Sequence, residues 1–230
     1  MKKKIFKCFG VIRKKSDIAK LKDIKNIELY RINYKNKKNI HKVFNEIKPN
    51  LIINCIGVVK QITHKNQISE ILRVNSFLPH QLAEIISVQK KIRLIHFSTD
   101  CVFLGTKGNY KEIDLPDAHD IYGRSKLLGE LYYSNTLTLR TSIIGHELKT
   151  NHSLLNWFLS QKKTIDGYKH AFFSGLSALE VAKFLDQYII PNKKIKGLFH
   201  LSGKTISKYD LLNIIKVVYK KEIKIKINRK

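Results

Sequence analysis

Residues 92–126, IRLIHFSTDCVFLGTKGNYKEIDLPDAHDIYGRSK, decide the reading of this chain. IRLIHF, 92–97, is a short apolar run of the kind that forms a strand covered on both faces. It ends in Ser98, Thr99 and Asp100. A polar loop with Gly105, Gly108 and Pro116 follows, and residues 121–134 then have the periodicity of a helix. In an open α/β sheet, ligands bind beyond the carboxyl ends of the strands, so Ser98-Thr99-Asp100 marks a candidate site.

Tyr122 and Lys126 are four residues apart and share one face of that helix. A nearby ammonium stabilises a tyrosinate and is expected to lower its pKa. The phenol then serves as acid toward a carbonyl oxygen or as base toward an alcohol, with Thr99 holding the same oxygen. The spacing alone is weak. Ten tyrosines in a chain with 37 lysines among 230 residues give about 1.6 such pairs by chance, and two occur, the other being Tyr34 and Lys38. The plain alternative is an ordinary helix face. Position after a strand-end hydroxyl and a Gly/Asp-rich loop favours chemistry.

Outward from this block, strand and helix patterns alternate. Strands are expected at 5–12, 27–32, 51–56, 92–97, 137–144 and 197–203, and a terminal one in KEIKIKI. Helices are expected at 17–25, 39–48, 69–88 with Pro79 as kink or restart, 121–134, 153–161, 177–189 and 207–220. LIINCI, 51–56, reads as a strand covered on both faces. The alternation implies an α/β fold: a Rossmann-like, mostly parallel sheet with helices on both faces. The expected division is a truncated dinucleotide-binding-like domain at 1–145, then a mixed substrate-side and sheet-completing segment at 146–230.

Asn54, Cys55, Ile56 and Gly57 finish the strand beside 92–97, and Gly57 lets backbone approach a planar ligand. Arg13, Lys14 and Lys15 follow the first strand, where a basic cluster suits the extra phosphate of NADP; surface charge is the equal alternative. His96 reads as a strand histidine bonded to backbone, His80 as a remote substrate contact, and Trp157 and Phe158 as core.

The formal charge is +26, from 44 basic and 18 acidic residues. Only seven of the basic residues are arginine, and the lysines run end to end, which fits a solvated surface better than a nucleic-acid groove. Cys8, Cys55 and Cys101 are odd in number and widely spaced, so neither a disulfide framework nor a cysteine metal site is expected, and a reducing cytoplasm is. No run approaches the 18 or so apolar residues of a membrane span.

At this point HFSTDCVFLGTKGNYKEIDLPDAHDIYGRSKLLGE, 96–130, resembles the extended short-chain dehydrogenase/reductase superfamily, and within it the dTDP-4-dehydrorhamnose reductases. NCIGVVKQ at 54–61, RVNSFLPHQLAE at 73–84, LRTSIIGHEL at 139–148 and GLFHLSGKTISKYDLL at 197–212 agree. The resemblance implies catalytic roles for Thr99, Tyr122 and Lys126, with Asn75 as the supporting helix asparagine. It places Gly57 and Val58 toward the adenosine side of a cofactor, counts Cys55 and Ile56 among the cofactor-binding residues, and puts Ser98 near the nicotinamide and Arg13 and Lys14 near the adenosine ribose. Thr141, Ser142 and Ile143 come between cofactor and sugar. The implied reaction is hydride transfer from NADP(H) or NAD(H), NADP slightly favoured, to the 4-keto carbon of a nucleotide-linked deoxysugar.

Members of that family begin with a strand and a GxxGxxG loop, and here the chain starts at what reads as the second strand. The first βα unit and its pyrophosphate-binding N–H groups are therefore expected to be missing, with cofactor binding weakened or lost. The expected partners are a nucleotide-diphosphate sugar, and a second copy or a separate chain supplying the first unit. Two alternatives stand beside the reductase: a non-catalytic, partner-dependent subunit, and an NDP-sugar epimerase or dehydratase.

Overall fold

The computed structural model describes residues 6–12, 18, 21, 24–62, 67–88, 91–148 and 150–229. Two parallel strands come first, β1 (Cys8–Ile12) beside β2 (Ile27–Arg31). The main sheet has four parallel strands, β3 (Leu51–Asn54), β4 (Arg93–Ser98), β5 (Thr136–Arg140) and β10 (Gly197–His200), neighbours in that order. Among the described residues, β1 pairs with β2 alone and β3 with β4 alone. The fold is thus the expected Rossmann-like α/β arrangement without a full first βα unit.

Helices cover both faces. On one, α1 (Lys37–Ile47) and α3 (Leu78–Ser87) bury Ile40, Val43, Leu78, Leu82 and Ile86 against Leu94 of β4. Ile32 just past β2 and Ile52 of β3 join this cluster, so one core spans both sheets. On the other face, α6 (Ala178–Phe184) and the π turn after it, Leu185–Ile189, pack Val181, Leu185 and Ile189 on Ile95, Leu137 and Leu139. A third core joins α5 (Leu154–Ser160) and α7 (Lys208–Val218), through Leu155, Phe158, Leu212 and Ile215. Short pairs edge this region: β6 (Ile143–Ile144) with β9 (Leu176–Ser177), β7 (Ile165–Tyr168) with β12 (Ile225–Asn228), and β8 (Phe172–Phe173) with β11 (Ile206–Ser207).

Local sequence explains the helix ends. Asn36 caps α1 by accepting from the Asn39 amide at 3.2 Å, and Lys48 closes it in the left-handed region before Pro49. Ser177 and Ser207 cap α6 and α7 in the same way. The helix expected over 69–88 exists as α2 (Ile68–Leu72), one π turn at Arg73–Phe77, and α3, with Pro79 in the first turn of α3 where its missing N–H costs nothing.

Three expectations need correction. LIINCI is not covered on both faces: Ile53 is 41% exposed, because β3 borders the strand-free side of the main sheet. The strand read at 137–144 breaks into β5 and β6 around Thr141-Ser142. The helix read at 121–134 stops as α4 (Ile121–Leu127), and the chain turns so that Gly129 lies against the backbone of Asn75. Most of the helix expected at 17–25 falls outside the described residues.

The Gly129 contact fixes how α4 sits on the α2–α3 helix. A Cβ at 129 would stand 1.9 Å from the Asn75 carbonyl oxygen, a clash with backbone that no rotamer relieves. Gly129→Ala is therefore expected to cost about 2–4 kcal/mol in urea unfolding. A loss below about 0.5 kcal/mol, the scale of a neutral surface change, would contradict this packing.

Candidate active site

The site forms where β3 and β4 end side by side, Asn54 being register partner of His96. Beyond them lie Ser98, Thr99 and the turn Asp100–Val102. α4 enters above this end. Asp120 caps it, accepting from the Gly123 amide at 2.7 Å, and also pairs with Lys60 at 2.7 Å. Gly123 lets the first turn seat on the strand end, since a Cβ there would lie 2.3 Å from the carbonyl oxygen of Cys101.

That seating brings the Tyr122 phenol close to the Thr99 side chain, whose polar influence pulls the phenol pKa down. Burial, with Cys101, Asp100 and Asp120 nearby, outweighs this pull and pushes the Tyr122 pKa up to about 12. The expectation that Lys126 lowers it is not met. The Lys126 ammonium instead donates to the Phe97 carbonyl at 2.6 Å, and its own burial pulls its pKa down to about 8. At neutral pH the site therefore holds a protonated phenol beside a buried ammonium.

Asn75, fully buried in the π turn, joins three elements. Its Oδ1 accepts from the Val58 amide at 2.8 Å, and its Nδ2 donates to the Val58 carbonyl at 3.1 Å and to Ser125 Oγ at 3.0 Å. The segment after β3 is thus tied to α4. Cys55, Ile56 and Gly57 lie exposed on this segment, with the Ile56 amide donating to Asn54 Oδ1 at 3.1 Å. A Cβ at Gly57 would meet only Asn75 Oδ1 at 3.5 Å and Lys126 Nζ at 3.9 Å. Both are ordinary contacts, so protein packing alone does not require glycine here, and the position faces the lysine and asparagine of the site.

Ser98 is buried and donates to Glu130 Oε1 at 2.8 Å. Ser142 donates to Asp100 at 2.6 Å, which brings the segment after β5 to the same rim. Arg13 and Lys14 lie outside the described residues. His96 bonds the Asn54 side-chain amide at 3.1 Å; burial and the Lys126 charge hold it neutral. His80 bonds the Leu128 carbonyl and the Tyr133 hydroxyl, so it braces helix packing. Phe158 is core and Trp157 is partly exposed. Among the described residues, no cluster of His, Cys, Asp and Glu is arranged to hold a metal ion.

The loop over the site is held in place. Phe103 stacks on Tyr110 at 4.3 Å, the His200 amide donates to Glu112 at 2.8 Å, and Asp114 accepts from Lys107 and from the Lys111 amide. Sequence reasoning missed the group beneath it, Glu130 and Arg140. Their signal was present as an acid inside the apolar LLGELYY and a base inside the apolar LTLRT.

Comparison with known proteins agrees with this architecture. A dTDP-4-dehydrorhamnose reductase of Aggregatibacter actinomycetemcomitans is 27% identical over 195 residues, covering 80% of this chain and 66% of that protein. Methionine adenosyltransferase 2 subunit beta of Pongo abelii is 26% identical over 194 residues, covering 79% and 58%. The chain thus spans slightly under two thirds of the one relative and just over half of the other. The crystal structure of dTDP-4-dehydrorhamnose reductase from Bacillus anthracis in complex with NADP superimposes with a TM-score of 0.77 at 18% identity, over 97% of this chain and 85% of that one. The family model of the RmlD substrate binding domain matches residues 13–226. With nearly its whole length matched, the chain belongs to the RmlD family, the dTDP-4-dehydrorhamnose reductase group of the extended short-chain dehydrogenases/reductases.

Proposed function

We propose that this chain carries the proton-delivery and sugar-side machinery of a reductase acting on the 4-keto group of a nucleotide-linked deoxysugar. The observation that carries the reading is the seating of α4 on the carboxyl end of β4, with Tyr122 in its first turn near Thr99 and Lys126 one helical turn behind, anchored on the Phe97 carbonyl. Tyr122 is the general acid and Thr99 holds the substrate oxygen beside it. Residues 1–145 form the dinucleotide-side portion and 146–230 the substrate-side and sheet-completing portion.

The residues present fit the nicotinamide and ribose end of NADP or NAD. Gly57 offers an exposed backbone face next to Lys126, while Cys55, Ile56 and Ser98 line the two strand ends. Arg13 and Lys14 would favour NADP. A reduced nicotinamide, when bound, supplies a hydride to the carbonyl carbon. Tyr122 gives its proton to the carbonyl oxygen, which becomes the hydroxyl of the product. The tyrosinate left behind then regains a proton from water.

Supplied with a first βα unit, the protein is expected to oxidise NADPH only when a dTDP-linked 4-keto-6-deoxysugar is present. Tyr122→Phe is expected to lower kcat by about 10²–10⁴ with little change in thermal stability. Activity retained in Tyr122→Phe would reject the assignment of the acid.

The pyrophosphate end needs backbone donors that the described residues do not offer in a glycine-rich turn. A further parallel strand would pair with the edges of β1 and β3 that carry no strand partner among the described residues, and bring such a turn to the site. Hydrogen exchange tests this. Adding the first βα unit, upstream in the same polypeptide or as a separate chain, is expected to protect amides of both Cys8–Ile12 and Leu51–Asn54. Protection of neither strand would contradict it.

The match to methionine adenosyltransferase 2 subunit beta favours a second reading, a non-catalytic subunit of a larger assembly. Under that reading NADPH oxidation is absent in the completed protein, and a partner enzyme co-purifies.

A further inference from the structure

Glu130 lies four residues beyond Lys126, past the end of α4, and its side chain is wholly inaccessible to solvent. Its Oε1 accepts from Ser98 Oγ and from Arg140 Nε, each at 2.8 Å, and its Oε2 accepts from Arg140 Nη2 at 2.8 Å. The Tyr132 hydroxyl stands 3.5 Å from Oε2. Arg140 in turn reaches His200 at 3.4 Å and lies 5.0 Å from the centre of the Phe103 ring. One carboxylate therefore ties the end of β4, the end of β5, the turn after α4 and the loop over the site.

Lys126 is anchored in the same place, on the carbonyl of Phe97, the residue before Ser98. The groups around its ammonium are few. Cys55 faces it from the end of β3, neutral His96 from β4 and Asn75 Oδ1 from the π turn, and Glu130 follows on its own segment. Among the described residues, Glu130 is the carboxylate whose charge acts on it, and that charge opposes the loss of the proton which burial promotes. Buried ion pairs often contribute little net stability, so stability alone is a poor account of why two charges sit here.

We propose that Glu130 is a positioning residue of the site: bonded to Ser98 and Arg140, it holds the end of β4 on which Lys126 is anchored through the Phe97 carbonyl. This rests on reading Lys126 as the cation of the site, but the test needs no turnover. Removing the Glu130 charge leaves the Arg140 cation uncompensated in a buried region, which disfavours a second cation nearby.

The measurement is the titration of Lys126 in the full chain by NMR of side-chain-labelled lysine, with the signal assigned by its loss in Lys126→Met. In the unaltered protein the midpoint is expected near its lowered value of about 8. Glu130→Gln, which keeps the shape and an acceptor oxygen, is expected to move it down by about one unit or more. Should Glu130→Gln fail to fold, Glu130→Gln/Arg140→Gln removes both charges, and the midpoint is expected to fall by less. A midpoint within about 0.3 units of the unaltered protein in whichever variant folds would overturn the proposal, since a purely structural pair would leave Lys126 where it was. NADPH oxidation, followed separately, is the readout of the reductase reading. Absence of turnover with a shifted Lys126 would count against that reading and not against the role of Glu130.

Discussion

The crossing of the chain at Gly129 over the Asn75 carbonyl is the constraint on which the site depends. It allows the turn after α4 to touch the backbone of the π turn between α2 and α3. With the two elements in contact, the Asn75 amide reaches both Val58 on the segment after β3 and Ser125 on α4. Lys126 then lies low enough to bond the Phe97 carbonyl, and Tyr122 comes over Thr99. A side chain at 129 would lift α4 away from the helix beside it, and these contacts would fail together.

Electrostatics in the protein divide into two regimes. The +26 charge is spread over a mostly solvated lysine surface, where pairs such as Lys7–Glu28 and Lys183–Glu180 are exposed and screened. Beneath the site, Glu130 and Arg140 are buried together, and Lys126 and His96 are buried beside them. There, low dielectric magnifies each charge. Burial keeps His96 neutral and Tyr122 protonated, and brings Lys126 near the physiological range, so the chemistry of the site is set by desolvation more than by the net charge of the chain.

Much of the fold was legible in the sequence because apolar runs and helical periodicity report directly on a layered α/β core. IRLIHF became β4 and NIHKVFNEIK became most of α1. Elements set by tertiary contact were not legible. The early end of α4 follows from the approach of Gly129 to Asn75, which lies 54 residues earlier in the chain. Strands of two to four residues, such as β7 to β9, carry too little pattern to find. In the site, spacing placed Tyr122 and Lys126 on one face, but their pKa values depend on burial and on the Phe97 carbonyl, neither of which spacing records. Glu130 and Arg140 are ten residues apart, and nothing in the local pattern links an acid after a helix to a base in a strand.

Under the proposed function, Tyr122, Thr99 and Lys126 serve one carbonyl oxygen while its carbon receives a hydride. The most direct measurement uses NADPH deuterated at the transferred position of its nicotinamide, with a dTDP-4-keto-6-deoxysugar and the protein completed by its first βα unit. One deuterium is expected at C4 of the sugar product by mass spectrometry, and little or no product from Tyr122→Phe. Unlabelled product, or no product from a protein that binds both ligands, would contradict it.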